Sequence, residues 1–232
     1  MIEINPDAVF IADAHDNASK TAFLKLLRAF KDGATLLPSQ LFLLGDMFDF
    51  LSFTTYAKRF YSEYIALLNE LSTKCEIYYF EGNHDFNLAS VLPNIKVFAM
   101  SVQPALFSFK GKKVAIAHGD IFLSRREMCA LKLIRSKMLL KILNLIDIAL
   151  NYKITKKILA YEDNKKLDYK IPDFRDKTAL RLRNYNADIV IEGHYHQGLS
   201  LQIENIFYIN LPSFACEQRF FMLECADFKF KS

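Results

Sequence analysis

All five histidines of this 232-residue chain lie in short polar runs beside Asp, Asn or Gly. The runs are Asp13-Ala14-His15, Gly82-Asn83-His84-Asp85, His118-Gly119-Asp120 and Gly193-His194-Tyr195-His196. A histidine-free run, Gly45-Asp46 with Asp49 three residues on, falls between the first two. Imidazole nitrogens, carboxylates and an amide oxygen make a mixed donor set without thiolate. Such a set suits manganese, iron or a catalytic zinc better than a structural zinc. Two divalent ions about 3.5–4 Å apart can clamp both oxygens of an in-line phosphoryl displacement, and a bound metal lowers the pKa of water toward neutrality. A carboxylate between the two cations would balance their charge, and Asp46 is the candidate. No serine or cysteine nucleophile is then required.

The runs must be brought together by the elements that precede them. Ala8–Ala12, Leu41–Leu44, Ile77–Phe80, Val114–Ala117 and Asp188–Ile191 are short, mostly apolar segments, each leading into one run. They read as buried strands. Open α/β sheets bind ligands beyond the carboxyl ends of their strands, so five such ends are expected to converge. Each piece alone is weak. A lone histidine is more often structural than ligating, and Gly-Asp after a strand is usually a turn. His-x-His on a strand puts both rings on one face. Chance can place one or two of these pieces, but not the ordered set with no histidine in any expected helix.

Between these strands, apolar spacing predicts helices over Ala18–Lys31 and Tyr56–Leu71, and Lys110-Gly111-Lys112 reads as a hairpin turn. Residues 121–160 contain no glycine or proline and read as helical throughout. They carry nine Lys/Arg (among them Arg126, Lys132 and Lys141) against Glu127 and Asp147. A polar stretch, Tyr161–Lys170, follows, then a helix over Asp173–Tyr185. Strands resume at Leu199–Ile203, Ile206–Ile209 and Phe220–Cys225. The expectation is one α/β domain over residues 1–232, with a basic, apolar helical insertion at about 121–170.

Composition narrows the class further. Hydrophobic residues make up 52% of the chain, which excludes disorder, and a net charge of +4 gives no reason by itself to expect a nucleic-acid partner. Cys75, Cys129, Cys216 and Cys225 lack paired spacing and read as reduced thiols. MIEINPDAVFIAD has neither a positive n-region nor a long apolar run, so no secretion signal is expected. No apolar stretch of about 20 residues is present for a membrane span. A cytoplasmic protein is expected, peripheral to the inner membrane if it contacts one at all.

With these blocks assembled, the chain resembles the calcineurin-like metallophosphoesterases. That family's ordered signature is D-x-H, G-D-x-x-D, G-N-H-D, H and G-H-x-H, and all five blocks occur here in order from Asp13 to His196. The resemblance implies a four-layer α/β/β/α sandwich and two divalent ions, most readily Mn²⁺, with Fe or Zn as alternatives. It places Asp13, His15, Asp46 and His196 on one ion. Asp46, Asn83, His118 and His194 would hold the other, with Asp46 bridging. His84 would face the substrate as a transition-state or leaving-group residue, oriented by Asp85. Within the family, the blocks around Asp13, Gly45–Phe48, Asp85-Phe86 and His118–Asp120, and the insertion after them, are similar to those of the UDP-2,3-diacylglucosamine pyrophosphohydrolases of lipid A synthesis. Those enzymes carry arginine where this chain has His84.

The insertion agrees with a lipid-linked UDP-sugar as substrate. Leu131, Ile134, Leu139, Leu143 and their neighbours give more apolar surface than one packed stripe needs. Its Lys/Arg residues suit anionic lipid head groups at a membrane surface. Asn164, Lys165 and Lys166, just after it, are candidates for sugar or phosphate contacts, together with Asn83 and His84. The plainer reading is a helix pair packed on the sandwich with a solvated basic face. Two other functions compete: a phosphoesterase for a soluble diester, nucleotide or phosphoprotein, and a nuclease. The nuclease ranks last, because Phe122 is the only aromatic residue over 121–150, and single-strand binding calls for stacking rings.

Overall fold

The computed structural model describes residues 1–222 and 229–231. From the N-terminus, β1 (Ile2–Glu3) and β2 (Val9–Ile11) lead into α1 (Ala22–Lys31) and β3 (Gln40–Leu43). Helices α2 (Thr55–Phe60) and α3 (Ser62–Leu71) precede β4 (Glu76–Phe80) and β5 (Lys96–Phe98). A hairpin of β6 (Ala105–Phe109) and β7 (Lys112–Ala117) comes next. Four helices follow: α4 (Arg125–Ile134), α5 (Lys137–Ala149), α6 (Lys153–Asp163) and α7 (Phe174–Leu182). The chain then forms β8 (Ile189–Glu192), β9 (Leu199–Ile203), β10 (Ile206–Asn210), a short α8 (Phe214–Glu217), β11 (Phe220–Met222) and β12 (Lys229–Lys231). The expected last strand, Phe220–Cys225, is seen to Met222, and residues 223–225 lie outside the described residues.

Two six-stranded sheets result, ordered β12-β11-β2-β3-β4-β5 and β1-β6-β7-β8-β10-β9. Strands β2, β3, β4 and β5 run parallel, as do β7, β8 and β10. Alternation along the strands sets the layers. Val9, Ile11, Leu41, Leu43, Ile77 and Tyr79 pack in one core with Phe23, Leu27, Leu67 and Leu68 of α1 and α3. The intervening Phe10, Phe42, Tyr78 and Phe80 turn inward and meet Phe107, Val114, Ile116, Ile189 and Ile191 of the second sheet. A third cluster joins Ala115, Val190 and Tyr208 to Phe174 and Leu182 of α7. The order is therefore helix, sheet, sheet, helix, the expected four-layer sandwich.

Aromatic rings lock the inner layer. Phe10 stacks on Phe42 at 4.5 Å between centroids, Phe42 on Tyr78 at 4.8 Å, and Phe80 on Phe98 at 4.8 Å. Burying each such ring contributes roughly 1.5–3 kcal/mol, so the strand ends sit on a rigid frame.

Several helices depart from their sequence patterns for local reasons. The first begins at Ala22 instead of Ala18, because Asn17 Oδ1 accepts from the N–H groups of Ser19 and Lys20, both at 2.8 Å, and turns the chain first. The second expected helix divides at Tyr61, whose hydroxyl donates to the Asp16 carbonyl at 2.9 Å. The insertion, read as one helical run, is three helices. Ser136 caps α5 by accepting from Leu139 N–H. Asn151 and Tyr152 break the next junction with φ of 52° and 62°. Buried Asp147 holds that break by accepting from Ile154 N–H at 2.9 Å and from the Thr155 hydroxyl at 2.5 Å. Side chains make these breaks without glycine or proline.

The end of the insertion is tied to the sandwich. Leu159 of α6 joins the core of α1 and α3. Asp163 accepts from the Ser19 hydroxyl at 2.5 Å and pairs with Lys20 at 3.6 Å.

Candidate metal centre

The carboxyl ends of β2, β3, β4, β7 and β8 bring the polar runs to one place. Asp13, His15 and His196 form one trio whose donor atoms all lie within 4.8 Å of one another, and Asp46, His118 and His194 form a second. Asp46 falls in the second trio, yet its charge is also felt by His15 of the first. The rings of His15 and His196 are 5.7 Å apart, and those of His118 and His194 are 5.0 Å apart.

Local backbone strain aims these side chains. Asp13, His15, Asp46, His194 and His196 all have left-handed backbones, with φ of 54°, 46°, 51°, 63° and 55°. Each such residue costs of order 1–3 kcal/mol and persists only where the surroundings over-determine it. The strands below, closed by hydrogen bonds such as Asp13 N–H to the Gly45 carbonyl and His15 N–H to the Asp46 carbonyl, supply that constraint. Two glycines allow close approach. A methyl on Gly82 would be driven into the Asp46 carboxylate, and one on Gly45 (φ 77°) into the His118 ring.

The protonation pattern suits cations. His118 Nδ1 lies 2.7 Å from the Leu44 carbonyl, and His196 Nδ1 lies 2.9 Å from the Leu167 carbonyl. A carbonyl only accepts, so Nδ1 carries the ring proton in both. Nε2 of His118 then faces Asp46 Oδ2 at 3.4 Å, and Nε2 of His196 faces Asp13 Oδ1 at 3.3 Å. That approach of two lone-pair atoms is favourable only with a cation between them, either a proton or a metal ion. Asp13 Oδ1, Asn83 Oδ1 and His118 Nε2 are also buried with no hydrogen-bond partner. Orphaned buried acceptors of this kind are costly unless something coordinates them. The residues present therefore fit a pair of divalent ions.

The charges reinforce this. Burial alone would raise Asp46, but His118, His84 and His15 together hold its carboxyl well below the usual range. Burial would raise Asp13 too, but His196 and His118 together hold it low. His118 is pushed well up despite burial, chiefly by Asp46. His194, buried beside His118, is pushed down to about 4. One imidazole of that pair holds a proton while the other presents a free nitrogen.

His84 sits against the first trio, its ring 5.0 Å from that of His15. Its backbone N–H donates to Asp46 Oδ1 at 2.9 Å, and its Nδ1 lies 3.0 Å from the Asp49 carbonyl. Asp85 is placed differently from the sequence expectation. Its carboxylate accepts from Met47 N–H (2.7 Å), the Tyr79 hydroxyl (2.5 Å) and Gly82 N–H (2.8 Å), and these contacts prop the β3 and β4 loops. The partners of the His84 ring are Asp49 and, at 3.6 Å, Glu162. Burial and the nearby Asp46 push the Asp85 carboxyl up to about 6. Asn164 turns back to the Ala160 carbonyl at 2.7 Å, Lys165 pairs with Glu162 at 2.6 Å, and Lys166 is exposed.

Other residues at the site drew no role from the sequence. Asp49 lies 3.3 Å from His15 Nδ1 and takes a 2.5 Å hydrogen bond from Asn17. Arg135, at the α4–α5 junction, donates to the Gly82 carbonyl at 2.8 Å and pairs with Asp120 at 3.2 Å, joining the insertion to two ligand loops. Tyr169 packs its ring 5.5 Å from that of His196. Asp49 stood inside the G-D-x-x-D block and was open to reading, whereas Glu162, Arg135 and Tyr169 belong to long-range packing with no local pattern.

The calcineurin-like phosphoesterase family model matches residues 8–198. A UDP-2,3-diacylglucosamine hydrolase of Vibrio cholerae is 24% identical over 198 residues, which span 82% of this chain and 81% of that one. Proteins of the same name from Photorhabdus laumondii and Haemophilus ducreyi are 25% and 26% identical. The alignments span 82% and 81% of this chain, and 81% and 83% of the respective relatives.

Proposed function

Because this chain belongs to the calcineurin-like phosphoesterase family of metal-dependent hydrolases, we propose that it hydrolyses the pyrophosphate of UDP-2,3-diacylglucosamine, with water, to UMP and 2,3-diacylglucosamine 1-phosphate. The chemistry rests on one observation, the two ligand trios with buried, unpartnered acceptors at converging strand ends. Asp13, His15 and His196 are assigned to one ion, and His118, His194 and Asn83 to the other, with Asp46 between them. Manganese is favoured over magnesium by the imidazole content. Bound there, the two ions would lower the pKa of a water and polarise a phosphoryl oxygen.

The remaining work falls to the chain itself. His84, fixed through Nδ1 by the Asp49 carbonyl, keeps Nε2 for the leaving oxygen or a phosphoryl oxygen. Lys165, paired with Glu162 beside His84, is the candidate for the substrate's phosphates, with Asn164 and Lys166 on either side of it in the chain.

The substrate assignment draws on the names of the relatives and on the helical insertion. Ile134, Leu139, Leu143 and Ile158 line an apolar cleft of about 170 Å³ together with Phe50 and Phe86 of the sandwich. Further out, Met138, Leu145 and Leu133 are 74%, 67% and 63% exposed, beside exposed Lys137 and Lys141. Apolar surface ringed by cations suits acyl chains and an anionic membrane face. Among the described residues no helix is long and apolar enough to cross a membrane, so contact from one side is the arrangement proposed. Steady-state kinetics on UDP-2,3-diacylglucosamine and its deacylated counterpart test the assignment. The acylated compound should be better by roughly a hundredfold or more in kcat/KM, since each buried CH₂ is worth about 0.8 kcal/mol. Equal values would return the function to a soluble phosphodiester.

A further inference from the structure

Glu162 lies near the C-terminal end of α6, in the insertion, yet its side chain is only 12% exposed. One carboxylate oxygen is 3.6 Å from His84 Nδ1 and 2.6 Å from Lys165 Nζ. A solvated helical ion pair would leave both partners in water, but here the acid is packed inward and the lysine stays 41% exposed. Its place is fixed from both sides: Leu159 is in the core, and Asp163 is tied to Ser19 and Lys20. The His84 ring already has the Asp49 carbonyl at 3.0 Å, so Glu162 is not needed to orient it. Of the two, the carboxylate is the partner packed against His84, while the lysine extends toward solvent. A negative charge is thus held at the mouth of a centre whose substrates are anions.

We propose that Glu162 is a specificity-determining residue that disfavours phosphomonoesters and leaves phosphodiester and pyrophosphate bonds as the preferred substrates. A phosphomonoester is a dianion near neutral pH, whereas each phosphorus of a diester or an internal pyrophosphate carries a single charge. The extra charge would meet the buried carboxylate in a region of reduced dielectric, where repulsion over several ångströms remains substantial. This inference rests on the phosphoesterase reading of the metal centre and adds to it which class of ester enters.

The test compares Mn²⁺-loaded wild type with Glu162→Gln on p-nitrophenyl phosphate and bis(p-nitrophenyl) phosphate. The ratio of monoester to diester kcat/KM should rise about tenfold in the variant, with metal content equal to wild type. Glu162→Asp keeps the charge and should stay nearer the wild-type ratio than Glu162→Gln does. Raising ionic strength from about 0.05 to 0.5 M should increase the ratio in wild type more than in Glu162→Gln, because only the former has a repulsion to screen. A ratio unchanged within twofold, or a parallel fall on both esters, would overturn the proposal. Absence of metal-dependent hydrolysis of either ester by wild type would instead remove the reading beneath it.

Discussion

At the strand ends, Asp13, His118 and Glu192 are fully buried, and five ligand candidates sit in left-handed backbone. In the insertion, Leu133, Met138 and Leu145 stand mostly in solvent, and the breaks between helices are made by Ser136 and Asp147. The first region is over-determined. Beneath it lie stacked aromatics and paired parallel strands; around it Asp49 and the carbonyls of Leu44 and Leu167 hold the rings of His15, His118 and His196, and Asp85 props the β3 and β4 loops. The second is tied to the sandwich at separate points, by Arg135 to Gly82 and Asp120, by Asn144 to Thr55 and by Leu159 in the core, and leaves Leu133, Met138 and Leu145 standing in solvent. Reaction chemistry demands donors placed to within a fraction of an ångström, which only a rigid frame delivers. Substrate choice can be carried by an appended element whose surface is complete only when the substrate arrives. A change in the centre should therefore affect every substrate alike, and a change in the insertion should separate them.

The largest effect should come from Asp46→Asn. Removing the carboxylate proposed to serve both ions should lower kcat/KM by about a thousandfold or more on lipid and small aryl substrates alike, with loss of bound metal by elemental analysis. His84→Ala should lower kcat by roughly a hundredfold and keep its metal, since its proposed role is to protonate the leaving oxygen or hydrogen-bond a phosphoryl oxygen. Metal loss in that variant, or metal retention in Asp46→Asn, would blur the assigned division of roles. Next in size is Leu143→Asp, which puts a charge into the apolar cleft. Turnover of UDP-2,3-diacylglucosamine should fall by roughly tenfold to a hundredfold, while bis(p-nitrophenyl) phosphate stays within about twofold. A parallel fall on both would show that the insertion shapes the metal centre itself.

A smaller effect follows from the charges. His118 and His196 are pushed above the ordinary imidazole value in the metal-free protein, His118 the further of the two, so both keep their second proton to higher pH than a free imidazole does. Those protons must leave when metal binds. Affinity should therefore rise with pH through 6.5 and continue to rise above it, and calorimetry in buffers of different ionisation enthalpy should register proton release near pH 7. Affinity independent of pH between about 6 and 8 would show that these nitrogens are not ligands.

The same contrast explains what could be read in the sequence. Strands buried on both faces announce themselves as short apolar runs, and a ligand directly after each run is a local pattern. Ala8–Ala12 with Asp13 and His15, and Val114–Ala117 with His118, are of that kind. The short β1 and β5 lack such runs and went unseen. Helix boundaries in the insertion depended on Asp147 reaching Thr155 and on left-handed Asn151 and Tyr152, and no helix-breaking residue marks them. Glu162 and Arg135 reach the centre through packing between segments far apart in the chain, which composition and spacing do not encode. Asp85 shows a further limit. Its neighbourhood was legible, but which groups its carboxylate would accept from depended on how the β3 and β4 loops fold over it.

The most direct test is a crystal structure of the Mn²⁺-loaded protein with an anomalous difference map. Two peaks should appear about 3.5–4 Å apart. One should lie on Asp13, His15 and His196, the other on Asn83, His118 and His194, with Asp46 reaching both. A single peak, or peaks away from these residues, in protein of full phosphodiesterase activity would contradict the two-ion centre.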